Sequence, residues 1–180
     1  MNDVEYDYWA KFYRRFDNST PTPFCLWALP RMKGSVVFDL GCGNGRDTEK
    51  IAEILPVMDV DPHAPSLMAE FRYHQTTVED FIQLVPCSPH DTVYARWFFH
   101  AITEAVEDKV LDWCKGQLFV EARVESVNVL DNHYRRPLDP AIFAAKLIVR
   151  EFEIDYLEVQ QGWSKVGEDD PWLMRVEAHR

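Results

Sequence analysis

The sequence lacks a long apolar run. None of its hydrophobic stretches approaches the roughly 20 residues a membrane-spanning helix needs. The first sixteen residues carry Asp3, Glu5, Asp7, Lys11, Arg14 and Arg15 and have no apolar core of a secretion signal. Basic residues are also in short supply. Nineteen Lys and Arg stand against 30 Asp and Glu, a net charge of −11. That balance argues against a general binder of nucleic acids or anionic membranes, which needs an excess of Lys and Arg. It leaves room for a small basic pocket. The four cysteines, Cys25, Cys42, Cys87 and Cys114, form no C-x-x-C pair. They read as reduced, mostly buried thiols with no metal among their partners. There is no internal repeat, low-complexity tract or linker. With 180 residues and 47% hydrophobic content, the chain is expected to form one domain over 1–180, cytoplasmic, monomeric or homodimeric.

What is present is a regular alternation. Residues 1–30 are aromatic-rich, and Tyr8, Phe12 and Phe16 recur at helical spacing beside Tyr6, Trp9 and Tyr13. A second short helix is predicted from Pro23 to about Leu29. From residue 35 strands and helices alternate. Strands are predicted at 36–40, 56–60, 72–77, 91–96 and 118–122. Helices are predicted at 47–55, 65–71, 81–85 and 103–115, and from Asp139 through Leu147. Thr103 suits an N-cap, Gly116 a helix stop, and Asp139-Pro140 a cap followed by N1. Two strands, 152–159 and 172–178, close the chain with no helix between them. The pattern implies an α/β fold: a doubly wound, mostly parallel seven-stranded sheet with a C-terminal antiparallel hairpin strand and helices on both faces.

The first strand runs into Asp39-Leu40-Gly41-Cys42-Gly43-Asn44-Gly45 and then a helix. Glycines there let the backbone turn sharply and approach a ligand. The spacing is G-x-G-x-G, whereas a dinucleotide pyrophosphate calls for G-x-G-x-x-G and a helix N-terminus aimed at phosphate. An acidic strand end such as Asp39 suits an ammonium instead. Asp61, twenty residues after Gly41, ends the second strand, where an acid accepts ribose hydroxyls.

Residues 37–47 resemble motif I of class I (Rossmann-like) S-adenosylmethionine (AdoMet)-dependent methyltransferases, and Met58-Asp59-Val60-Asp61-Pro62 resembles the acidic motif that follows it. The resemblance spans nearly the whole chain. It is nearest to small bacterial and phage enzymes that modify surface sugars or small molecules. Shared features include Pro21-Thr22-Pro23-Phe24, the stretch Tyr94 to His100, a strand ending Glu121-Ala122-Arg123, and His133-Tyr134-Arg135-Arg136. It implies AdoMet as cofactor and S-adenosylhomocysteine as product. Cofactor contacts are expected from Asp39, Gly41, Cys42, Gly43 and Asn44, from Arg46 and Asp61, and from Thr77, Val78 and Arg96. Two departures stand out. The acid that many members use for adenine is replaced near Thr76-Thr77, leaving Thr77, Glu79 or the Val78 amide. The glycine usual before the sixth strand is Glu151, so the preceding helix is expected to end in some other way.

Ligands of open parallel sheets sit at the carboxyl ends of strands. Arg96, His100, Glu121, Arg123, His133, Tyr134, Arg135, Arg136 and Glu158 fall there. An OH or NH acceptor needs its proton accepted and its nucleophile aligned. His100 is the first choice of base and His133 the second, with Glu121 a further catalytic candidate. Arg123, Tyr134, Arg135, Arg136 and Tyr13 are expected to bind an acceptor carrying carboxylate, phosphate or sugar. Structural alternatives stand beside each: packing for His100, an ion pair for Glu121 with Arg123, a solvated turn for Arg135-Arg136, core or adenine wall for Trp97, Phe98 and Phe99. Base methylation of nucleic acid is disfavoured, because no Asn/Asp-Pro-Pro-aromatic motif occurs and Pro86-Cys87 precedes the fourth strand. The expected function is transfer of methyl to O or N of a small acceptor. The alternatives are a lyase or aminopropyl-type enzyme that binds AdoMet, and a noncatalytic partner subunit.

Overall fold

The computed structural model describes Lys11 and residues 20–63, 72–124, 136–164 and 170–180. Apart from Lys11, the helices expected around Tyr8–Phe16 and Pro65–Phe71 lie outside them. The described elements are α1 (Pro23–Ala28), β1 (Val37–Leu40), α2 (Arg46–Ala52), β2 (Val57–Val60), β3 (Arg72–His74), α3 (Val78–Leu84), β4 (Thr92–Arg96), α4 (Glu104–Trp113), β5 (Gln117–Arg123), α5 (Pro140–Ile148), β6 (Glu153–Gln160) and β7 (Leu173–His179). Single 3-10 turns follow α1 and β4, at Leu29–Arg31 and Phe99–Ala101.

The strands form a seven-stranded sheet in the order β3-β2-β1-β4-β5-β7-β6. β3, β2, β1, β4 and β5 are parallel, and β7 runs antiparallel between β5 and β6. Alternate side chains of the parallel strands enter different cores. Val37, Tyr94 and Phe119 pack with Phe24, Cys25, Ala28 and Ile51 of α1 and α2. Phe38, Val93, Ala95, Leu118 and Val120 pack with Phe81, Val110, Leu111 and Phe143 of α3, α4 and α5. Burial on both faces explains why β1 and β4 read as near-continuous apolar runs, while the edge strand β6 alternates exposed and half-buried residues.

Local chemistry sets the element ends, and three expectations are corrected. The third strand was expected to reach Thr77, but it stops at His74. Thr77 Oγ1 accepts from Asp80 N at 3.2 Å and so caps α3, which therefore starts at Val78, earlier than expected. Gly116 follows α4 for want of space: a Cβ there would lie 2.1 Å from the Asp91 carbonyl oxygen. Glu151 does not give α5 a different ending. It takes the left-handed φ of +65° that a glycine would take. Phe152 N donates to Leu147 O at 3.1 Å and Glu151 N to Ile148 O at 3.0 Å, the paired bonds of a Schellman turn.

Candidate functional site

The strand order reverses between β1 and β4, so their carboxyl ends open the crevice where ligands of such sheets bind. The turn after β1 lies there. Gly41, Gly43 and Gly45 hold φ of +74°, +62° and +79°. A Cβ on Gly41 would lie 3.0 Å from Phe98 Cδ2, so a larger residue would be both strained and crowded. Gly41 N donates to Val60 O at 2.8 Å, and Gly45 N to Cys42 O at 3.0 Å. Gly45 then opens α2.

Asp61 braces this turn. Its Oδ2 accepts from Gly43 N at 3.0 Å and its Oδ1 from His63 N at 2.7 Å. Asp39 is buried, and its Oδ2 accepts from Thr48 Oγ1 at 2.6 Å. Burial pushes its carboxyl well above the usual range, reinforced by Asp47, Asp59 and Asp61 against the pull of the Thr48 hydroxyl. Burial, with Asp39 and Asp61 nearby, also raises the Cys42 thiol.

Two of these acids were not among the expected site residues. Asp47 accepts from Thr22 N at 2.7 Å, Thr22 Oγ1 at 2.8 Å and Tyr94 OH at 2.7 Å. It thereby fastens the start of α1 and the middle of β4 to the helix of the glycine turn. Asp59 is fully buried and in register with Asp39. Neither of its oxygens has a hydrogen-bond partner among the described residues, and burial raises its carboxyl. The signal was in the sequence: Asp59 lies in the second strand, two residues before Asp61 just past its end. Four aspartates clustered around a glycine turn favour a cationic ligand and disfavour pyrophosphate.

At the start of α3, where an adenine contact was expected, the Thr77 hydroxyl is spent on its cap, donating to Asp80 Oδ2 at 2.8 Å. Glu79 pairs with Lys109 at 2.7 Å on the surface. The Val78 amide, in the first turn of α3, is the donor suited to a ligand.

On the other side of the crevice, β4 ends in Arg96 and Trp97. Arg96 Nε lies 3.2 Å from Glu121 Oε1, and burial next to Arg96 lowers the Arg46 guanidinium. Glu121 is fully buried and also accepts from Arg175 Nε at 2.8 Å and Ser164 Oγ at 3.0 Å. A carboxylate held by two guanidinium groups and a hydroxyl is a positioning group, with its lone pairs committed to those partners. Trp97 has a φ of +56°, and the Arg96 and Arg123 Cζ atoms lie 4.7 and 5.1 Å from its ring centroid.

His100 is buried, and its Nδ1 accepts from Arg123 N at 3.3 Å. A neutral imidazole accepting at Nδ1 carries its proton on Nε2. That tautomer donates where a general base must accept, which corrects the expectation for His100. Arg136 is corrected as well. Its guanidinium turns inward, donating to Ile102 O at 2.8 Å, to Phe99 O at 3.3 Å and to the buried Glu107. Phe99 belongs to the core, stacked edge-on against Phe143, whereas Phe98 sits on Gly41. Glu158 is paired with the Tyr156 hydroxyl at the exposed edge strand. The structure thus brings together the glycine turn, Asp39, Asp61, Arg46, Arg96, His100, Glu121 and Arg123. Tyr13, His133, Tyr134 and Arg135 lie outside the described residues.

The sequence matches no family model and no curated protein. The fold, however, is that of S-adenosylmethionine-dependent methyltransferases. A 1,6-didemethyltoxoflavin N1-methyltransferase from Burkholderia thailandensis superimposes with a TM-score of 0.65 at 18% identity, covering 88% of this chain and 76% of that one. A SAM-dependent methyltransferase from Archaeoglobus fulgidus gives 0.67 at 15% identity, with coverage of 86% and 90%. A glycopeptide N-methyltransferase gives 0.61 at 13% identity, with coverage of 92% and 97%.

Proposed function

We propose that this chain is an AdoMet-dependent methyltransferase acting on an oxygen or nitrogen atom of a small acceptor, anionic or sugar-containing. The carrying observation is the left-handed glycine turn set among Asp39, Asp59 and Asp61. It offers backbone to a flat ligand and negative charge to a cation, and it is hostile to phosphate. Bound AdoMet supplies a methyl group on a positively charged sulfur. In this reading Asp61 accepts the ribose hydroxyls, Asp39 faces the ammonium, and the backbone from Gly41 to Asn44 lies along the cofactor. Arg46 and Arg96 flank its carboxylate end, and the Val78 amide meets adenine.

The acceptor enters beside β4 and β5. Arg123 lies at its edge, Glu121 positions Arg96, and His100 orients it through Nε2–H. His133 is our candidate for the base, with Tyr13, Tyr134 and Arg135 as acceptor contacts. The neighbours named as 1,6-didemethyltoxoflavin N1- and glycopeptide N-methyltransferases support a small acceptor. The acidic composition supports a cytoplasmic enzyme without nucleic-acid or membrane partners.

The test is calorimetric titration with AdoMet on the wild type and on Asp61→Ala, followed by turnover with an acceptor panel. Binding that weakens by about tenfold or more in the variant is expected, with S-adenosylhomocysteine as product. Methylthioadenosine as product would transfer the assignment to aminopropyl-type chemistry. Binding without any turnover across sugars and anionic metabolites would favour the noncatalytic subunit.

A further inference from the structure

We propose that Trp97 is the recognition platform for an anionic group on the acceptor, a carboxylate or a phosphate. Its indole N–H donates to that group within the field of Arg96 and Arg123. The identity of the anion as part of a methyl acceptor rests on the methyltransferase reading; the anion site itself does not.

Three observations converge on this ring. First, Trp97 Nε1 is buried and has no hydrogen-bond partner among the described residues. An indole nitrogen only donates, and a buried donor left unmade is costly, so the site calls for an acceptor atom. Second, Trp97 holds a left-handed φ of +56°, strained for a bulky side chain. Such strain persists where the surroundings impose it, and it collects at ligand sites. Its own amide is fixed to Glu121 O at 2.7 Å, so the backbone that carries the ring is held by the end of β5.

Third, the charge that the described residues place next to the ring is positive. The Cζ atoms of Arg96 and Arg123 stand 4.7 and 5.1 Å from its centroid. Arg96 and Arg175 share the single carboxylate of Glu121. A cationic or neutral acceptor gains nothing from that field, whereas an anion does. Trp97 also adjoins Phe98, which covers Gly41 of the cofactor turn. The crevice is therefore bipolar: carboxylates at β1 and β2, guanidiniums at β4 and β5. This complements a cationic donor facing an anionic acceptor.

The test uses the indole region of a nitrogen-15 correlation spectrum of the full chain, which holds six tryptophans. Trp97→Phe keeps a ring, removes the donor and identifies the signal. Through-bond assignment of the wild type does the same if that variant fails to fold. Inorganic phosphate, acetate and uncharged glycerol are titrated separately at constant ionic strength. The expected result is a saturable shift of the Trp97 signal with phosphate or acetate, and none with glycerol. The stronger of the two anions names the acceptor's group. In Arg123→Gln the midpoint should weaken about tenfold. A Trp97 signal that ignores both anions, or moves with glycerol or together with the other five, overturns the proposal and leaves an ordered water as the partner. AdoMet calorimetry on the same sample judges the cofactor reading separately.

Discussion

Asp47 and Tyr94, 47 positions apart, are joined by a buried 2.7 Å hydrogen bond that ties the helix of the glycine turn to the centre of β4. The same carboxylate holds the Thr22 amide and hydroxyl. One side chain thus fixes α1, α2 and β4 relative to each other beneath the cofactor turn. Tyr94→Phe keeps the ring stacked on Phe24 and removes one donor from a buried carboxylate. We expect a loss of about 1–3 kcal/mol in stability by urea unfolding. Two Thr22 donors remain, so the variant should stay folded and bind AdoMet. An unchanged unfolding midpoint would show that the bond contributes nothing.

If Asp39 faces the AdoMet ammonium as proposed, cofactor binding should be sensitive to pH. Burial holds its carboxyl well above the usual range, so the unliganded protein keeps that proton to a higher pH than an exposed aspartate does. The ionised form is the one that attracts an ammonium. Binding should therefore release a proton, and affinity should rise with pH, by about tenfold per pH unit at most, until Asp39 is ionised in the free protein. Calorimetry in buffers of different ionisation enthalpy measures that proton directly. A pH-independent affinity with no proton exchange would remove Asp39 from the ammonium site.

Much of this architecture was legible in the sequence. Strands buried on both faces are short apolar runs, and a glycine turn between strand and helix is a local pattern. What was missed depends on distant partners or on choices between local patterns. Arg136 looks like an exposed member of a basic run, and only the fold brings it to Glu107 and the Ile102 carbonyl. Asp47 reads as a helix-start acid until Thr22 and Tyr94 arrive. Thr77-x-x-Asp80 is a cap signature that was outweighed by the preceding β-prone residues.

Glu151 shows the backbone overriding the residue. The turn after α5 makes both Schellman bonds, although a glutamate occupies the left-handed position. A non-glycine residue there costs on the order of 1 kcal/mol. Glu151→Gly should therefore raise stability by about 1 kcal/mol, read as a higher urea midpoint with unchanged slope. A lower midpoint would mean that the glutamate side chain, or the freer unfolded chain of the glycine variant, outweighs the relieved strain.

Asp59 is the buried acid whose oxygens lack hydrogen-bond partners among the described residues. Burial raises its carboxyl, so the folded protein favours the protonated form more than the unfolded chain does. Below the unfolded pKa both states are protonated and the group is neutral in its effect. As pH rises through the unfolded value toward the raised folded one, the unfolded chain ionises first and stability falls. The loss accrues at up to about 1.4 kcal/mol per pH unit over that window and is constant above it. Asp59→Asn cannot ionise, so its stability relative to wild type should climb across the same window and then level off. Urea unfolding of both proteins from acid to neutral pH reads this as diverging midpoints. Parallel midpoints would mean that Asp59 ionises as easily folded as unfolded, and that the acid cluster carries less strain than its burial implies.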